Sequence, residues 1–368
     1  MKKFAKLSTA LAFSAAALSS VAFIPAASAA ESLTIVSWGG AYTKSQRGAY
    51  SDPFTANTGV TILDEDKSNV GLAGMRAQSE AGNVIWDLVD ILEGEAMLAC
   101  DEGLVQEIDY NNDLAKGDDG SLATDDFVGG LNGCFVPTIV YATMFAFNDE
   151  AFPGNKPKTI ADVFDLKNFP GKRALQKIPD ANLEWALAAD GVAYEDVYDV
   201  LATPAGVDRA FKKLDTIKSE IVWWDAGAQP PQLLADGEVA IASAYNGRIF
   251  NAQVVENQPF TIIWDGQVFE LDGYVIPKGA PNMKAAMDYL RFATDTQRLA
   301  DQTKYIAYGP ARLSSAPLVD KHLETGVTMA PHMPTNPANF KTPIKKDAAF
   351  WADNGDELRQ RFNAWLAL

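Results

Sequence analysis

The chain has 368 residues, and its 31 Lys and Arg against 48 Asp and Glu give a formal net charge of −17. Acidity of this degree disfavours nucleic acid as a partner and favours solubility with a mild attraction for cations. The length is enough to bury a substantial core and is more than one compact lobe needs, so two lobes are expected.

In chain order, residues 1–29 read as a secretory signal. Lys2, Lys3 and Lys6 precede a mostly apolar run, and Ala27-Ser28-Ala29 is a small-residue cleavage site beyond Pro25. The competing reading is an uncleaved anchor, disfavoured because the run is short and diluted by serine. Cleavage after Ala29 leaves 28 basic against 48 acidic residues, a charge of −20. Patterning then predicts strands over 33–37, 60–63, 88–92, 138–147, 239–244, 260–264 and 273–276. Amphipathic helices are predicted over 42–57, 70–80, 94–102, 206–218, 228–235, 284–293 and 295–303. This alternation is the pattern of an α/β protein with largely parallel sheets, in which ligands gather at the carboxyl ends of strands.

The Gly/Asp-rich stretch 110–126 reads as a solvated loop, because its spacing fails the calcium-loop pattern. The tail 347–368 has apolar residues at helical spacing and is expected to pack on a lobe as a closing helix. Cys100 and Cys134 are the only cysteines, and in an oxidising compartment an even pair reads as one disulfide; two unpaired buried thiols are the alternative.

The usual signals of an enzyme are missing. Only two histidines occur, His322 and His332, and no nucleophile-elbow, zinc-protease, dinucleotide or phosphate-loop motif is found. Two carboxylates meeting in space could still hydrolyse a glycoside. No cofactor and no metal site is expected.

What stands out instead is aromatic residues beside glycine, acid and amide at predicted strand ends: Trp38-Gly39-Gly40, Trp223-Trp224-Asp225, Tyr245-Asn246-Gly247, Trp264-Asp265, Asp272-Gly273-Tyr274 and the stretch 305–310. An ammonium within about 6 Å of an aromatic face gains roughly 0.5 to 2 kcal/mol, so aromatics closed by carboxylates suit an organic amine. Trp38 and Tyr245 each end an apolar run before turn chemistry, which projects the ring into whatever crevice the strand ends border. Trp224, beside Asp225, is taken to face the cleft and Trp223 the interior. Trp86, Trp185 and Trp351 read as core.

The segments SWGGAYTKSQRGAYSDPFTANTGV, WDLVDILEGEAMLACDEGLVQEID, WWDAGAQPPQLLADGEVAIASAYNGRIFNA and DGYVIPKGAPNMKAAMDYLRFAT together resemble the periplasmic solute-binding proteins of ABC transporters, in the spermidine/putrescine-binding group. The resemblance implies a two-lobed α/β fold of type II, each lobe a mostly parallel sheet flanked by helices, with a hinge between them. Lobe one is expected over 30–142 plus 274–320, and lobe two over 143–273 plus 321–368. Carried over by position, the implied ligand contacts are Trp38, Leu92, Glu93, Tyr245 and Asp272, with Asn182 and Glu184 from lobe two; Trp224, Asp225 and Tyr274 join them as candidates. The chain departs from the polyamine pattern at Leu92-Glu93-Gly94, where that group carries small hydroxyl residues and tyrosine, and at Tyr245, where it carries tryptophan.

The expected function is a monomeric periplasmic binding protein, not an enzyme, that captures a small cationic amine such as putrescine or spermidine and delivers it to a membrane permease. The alternative within the same fold is a zwitterionic or anionic solute, for instance an amino-acid derivative or aminophosphonate, gripped by Arg248. The alternative of another class is a secreted carboxylate-dependent hydrolase.

Overall fold

The computed structural model describes residues 32–368. The expected signal segment 1–29 and its cleavage point lie outside the described residues. Ten strands are hydrogen-bonded into one sheet: β1 Ser32–Ser37, β2 Thr61–Asp66, β3 Leu88–Leu92, β4 Val136–Asn148, β5 Arg173–Gln176, β6 Ile221–Trp224, β7 Ile241–Tyr245, β8 Phe260–Val275, β9 Gly309–Pro310 and β10 Ile344–Lys345. Their order is β2-β1-β3-β8-β4-β7-β5-β6, with β10 beside β8 and β9 beside β4. The outer strands pair in parallel (β1 with β2 and β3, β5 with β6 and β7), and antiparallel β4 and β8 run between the two parallel halves.

Both faces of each half are covered, which is why its strands read as nearly continuous apolar runs. In the first half Ile35, Leu88 and Val136 point into a core with Tyr50, Phe54, Tyr274 and Tyr289, while their neighbours Val36, Val89 and Phe135 point into another with Trp86. In the second half Phe145 and Phe147 pack with Leu175, Trp185 and Ile241, and the alternate residues Met144 and Ala146 pack with Trp224 and Leu234. The helix Ala348–Leu366 closes that second core with Trp351, Leu358, Phe362 and Trp365, and Trp223 meets Phe362 and Trp365 edge-on. Cys100 and Cys134 are disulfide-bonded.

Several details differ from the sequence reading. The predicted strands 260–264 and 273–276 are parts of the single strand β8, whose pairing with β4 jumps from Thr143↔Val268 to Phe145↔Ile263. The excess residues 264–267 bulge out there, and Asp265 is spent on Ile160 N (3.0 Å), Tyr194 Oη (2.7 Å) and Thr342 Oγ1 (2.8 Å), not on a ligand. The predicted helix 42–57 is broken by a π-helical turn, Arg47–Ser51, between Gly40–Gln46 and Asp52–Thr58. β5 escaped notice because four residues opening on an arginine do not look like a buried strand; Arg173 is nonetheless buried, donating to the carbonyls of Val163 (2.9 Å) and Phe169 (2.6 Å). The stretch 110–126 is not all solvated, since its Asp126 is buried against Arg312 at 2.7 Å.

Two expected ligand contacts belong to the second core. Glu184 is fully buried, one carboxylate oxygen accepting from Tyr198 Oη (2.8 Å) and Trp351 Nε1 (2.9 Å), and it sits on the helix Asn182–Ala189 beneath the closing helix. Asn182 donates to the carbonyls of Gln176 (2.8 Å) and Ile178 (2.6 Å), pinning the loop in which Ala181 takes φ 63°. Both are buried because this helix is apolar nearly all round, which hides its two polar side chains from any cleft.

The disulfide closes a loop of 34 residues, so a Cys100→Ser/Cys134→Ser variant should lose about 4 kcal/mol in the chain-entropy model, measured by denaturant unfolding. A second expectation concerns pH. Burial, with the charge of Asp180 adding to it, pushes the Glu184 carboxyl up to about 7, so the folded state holds a proton that the unfolded chain releases. This contribution to stability is therefore lost as pH rises from about 4.5 through 7. Glu184→Gln should gain on the parent by about 3 kcal/mol between pH 4.5 and pH 8, read from paired unfolding curves.

Candidate functional site

At the carboxyl end of β1 the chain must turn sharply, and Gly39 provides φ 79° to begin the helix that carries Tyr42 and Gln46. This turn holds Trp38 over the end of β3. The Trp38 indole Nε1 donates to Asp90 Oδ1 at 3.2 Å, the Tyr42 hydroxyl donates to Asp90 Oδ2 at 3.2 Å, and Gln46 Nε2 donates to the same oxygen. Gln46 also donates to the Tyr274 hydroxyl at 2.9 Å. Asp90 is thus an acid in the middle of an apolar strand, buried and surrounded by donors. One strand away Asp272 stands opposite Leu92 in the β3–β8 ladder, equally buried, and its Oδ1 has no hydrogen-bond partner.

Asp272 forms part of a cavity of about 190 Å³. Its walls are five aromatic rings, Trp38, Tyr42, Tyr141, Tyr245 and Tyr308, completed by Leu92, Ile139 and Gly227. The rings lean on one another: Tyr141 is 5.9 Å from Tyr245 and 6.2 Å from Tyr308, and Tyr308 is 6.0 Å from Tyr42. Among the described residues, the only charged side chains on the wall are Asp272 and Arg248. Arg248 is half-buried at the head of the short helix Asn246–Phe250, and among the described residues no carboxylate lies within ion-pair distance of it. Burial pushes the Tyr308 phenol up to about 12, against the pull of the neighbouring Arg248 charge. Burial also raises Asp272 well above the ordinary carboxyl range, with the negative charge of Asp90 adding to the effect.

A larger recess of about 500 Å³ shares Arg248 and opens between Ala41, Tyr305 and Ile306 on one side and Gln232, Asp236, Asn251 and Glu256 on the other. Four of its polar groups are engaged with each other, Gln232 on Asp236 and Asn251 on Glu256, each at 2.8 Å. The smaller cavity holds the unsatisfied, convergent groups and is the candidate site. Among the described residues no cluster of His, Cys, Asp or Glu could hold a metal ion.

Of the residues singled out from the sequence, Trp38, Leu92, Tyr245 and Asp272 line this cavity. Trp224 stands behind the wall, edge-on to Tyr245 at 5.7 Å with its indole donating to Ser243 Oγ at 3.1 Å. Tyr274 lies below Asp90. Glu93 begins the helix after β3 and turns away from Leu92 toward Lys345, 3.9 Å distant. Asp225 is exposed, beyond the end of β6. Asp90, Tyr42, Ile139 and Tyr141 were not singled out, and Tyr308 was marked only as part of the stretch 305–310. The signal for Asp90 was present, an acid inside the apolar run LVDIL; the others became neighbours only through the crossing of β4 with the strand ends.

Residues 49–335 match the model of a family described as bacterial extracellular solute-binding protein. A gamma-aminobutyric acid-binding protein of Pseudomonas aeruginosa is 40% identical over 356 residues, 96% of this chain and 97% of that protein. A GABA receptor of known structure is 32% identical with a TM-score of 0.78, covering 91% of this chain and 98% of its own. An ABC transporter substrate-binding protein from Bradyrhizobium japonicum USDA 110 is also 32% identical, with a TM-score of 0.79 over 91% of this chain and 99% of its own. Among the described residues no helix is long and apolar enough to cross a membrane. The fold is the two-lobed type II architecture of periplasmic binding proteins, and the chain belongs to the bacterial extracellular solute-binding protein family.

Proposed function

We propose that this protein is the substrate-binding component of an ABC importer and that its ligand is a short zwitterion of the GABA type, an ammonium and a carboxylate joined by a few methylenes. The observation that carries this reading is the pair of charges on the cavity wall, one acid and one base with aromatic rings between them. The ammonium is held by Asp272 and the faces of Trp38 and the tyrosines, and the carboxylate by the guanidinium of Arg248, whose planar fork fits it. A cavity of about 190 Å³ is below the usual range of about 300 to 1,000 Å³ for drug-sized ligands, which suits so small a solute. The names of two relatives point the same way.

The polyamine reading fits less well. A diamine needs a second carboxylate where the wall offers Arg248, and an ammonium beside that guanidinium has no partner for its charge. Glu93, Glu184 and Asp225, the acids expected to supply one, stand outside the cavity. We place the hinge where β4 and β8 pass between the lobes, near the expected borders 142/143 and 273/274, so that closure brings Tyr245 and Arg248 onto Trp38 and Asp272 before delivery to the permease.

Titration calorimetry with GABA, butanoate and putrescine tests the assignment. GABA should bind more tightly than either of the others, and tighter binding of putrescine would overturn the reading. Arg248→Ala and Asp272→Asn should each weaken GABA binding by about 2 to 5 kcal/mol, whereas Glu93→Gln and Asp225→Asn should leave it within experimental error.

A further inference from the structure

We infer that Asp90 and Asp272 share one proton in the empty site and that the ligand's ammonium takes its place, which makes Asp90, a residue off the cavity wall, a determinant of selectivity for cationic groups. The inference rests on the assignment of the cavity to an amine-bearing ligand.

Two facts of geometry carry it. The two carboxyls come from adjacent antiparallel strands, within hydrogen-bonding reach of each other and beside the same Trp38 indole. Both are buried, so two negative charges side by side without a proton would face a large desolvation cost. The distribution of donors decides where the proton sits. Asp90 already accepts from Trp38, Tyr42 and Gln46, which is the environment of an ionised carboxylate. Asp272 has no comparable set and an unpartnered Oδ1, so it carries the proton and donates it to Asp90. Asp272 is also the member of the pair on the cavity wall.

The charge balance then favours exchange. The empty pair with its proton carries one negative charge. When an ammonium arrives at Asp272 the proton leaves to bulk water, and two carboxylates plus one ammonium again sum to one negative charge. The site never holds an uncompensated double charge, and a ligand without a cationic group has nothing to exchange. The other ionisable groups around the pair do not substitute for this step. Tyr42, Tyr50 and Tyr274 are held neutral by burial, Glu270 is engaged by Lys346 at 3.2 Å and by Tyr141, and Arg248 stands across the cavity.

The test is calorimetry of the intact protein with GABA at pH 6.5 in buffers of different ionisation enthalpy. Close to one proton should be released per GABA bound, and affinity should rise up to about tenfold per pH unit below the point at which the pair loses its proton. Butanoate should release none. In Asp90→Asn the release should fall measurably, because the neighbouring charge that helps hold the proton on Asp272 is gone, an effect that loss of packing alone would not produce. Binding of GABA with a heat that does not depend on buffer would overturn the shared proton while leaving the ligand assignment intact, and so would an undiminished release in Asp90→Asn. Failure of GABA to bind the parent protein overturns both. If Asp90→Asn does not fold, the parent's buffer dependence and the contrast with butanoate still decide the matter.

Discussion

The antiparallel pairing of β4 with β8 is the constraint on which the site depends. These are the two longest strands, and each contributes to the cores of both lobes: Val136 and Tyr274 pack in one, Phe145 and Ile263 in the other. Their register sets Ile139 opposite Asp272 and Tyr141 opposite Glu270, so one wall of the cavity is a stretch of ladder and not a set of loops. Parallel strands on either side then end at that wall, β1 delivering Trp38 and β7 delivering Tyr245. A groove bordered by strand ends is a general property of open α/β sheets; here two continuous strands form its floor.

The chemistry of the floor follows from burying polar groups only in company. Tyr141 donates to Glu270 at 2.7 Å, Glu270 pairs with Lys346 at 3.2 Å, and Lys346 pairs with Asp180 at 3.1 Å, a chain that leads from the cavity to the segment before the closing helix. On the other side Asp90 is enclosed by donors. Buried charge without such partners costs several kcal/mol, and removing one partner leaves the other exposed to that cost. On the cavity wall two groups are left incomplete: Asp272 Oδ1 lacks a hydrogen-bond partner and Arg248 lacks a carboxylate within ion-pair distance.

The parts of this arrangement that local pattern encodes were legible. Apolar runs located the long strands, and turn chemistry after β1 and β7 marked Trp38 and Tyr245 as cleft residues. Asp272 was marked by its place before Gly273 and by family resemblance. Glu184 shows the limit: an acid at a helix start looks like a surface or ligand group until the apolar residues around it are seen to bury every side of the helix. Glu93 misled for a related reason, since adjacent residues at the end of a strand point apart and only Leu92 could face the cavity. The tyrosines at 42, 141 and 308 come from three distant segments, and no one-dimensional pattern brings them together. The proposed choice between a second ammonium and a carboxylate turns on one residue, Arg248, and its standing on the wall depends on how Asn246–Phe250 is seated.

Two of the rings rest on backbone instead of side chains. A Cβ at Gly227 would come within 2.8 Å of the Tyr245 ring, and one at Gly247 within 2.7 Å of Tyr308. The size of the cavity is therefore set partly by atoms that are missing, and one added methyl at either position would push a ring inward without altering the charges at the two ends. Shape and charge are thus written at separate positions, so the length of the cavity is free to change while Asp272 and Arg248 keep their places on its wall.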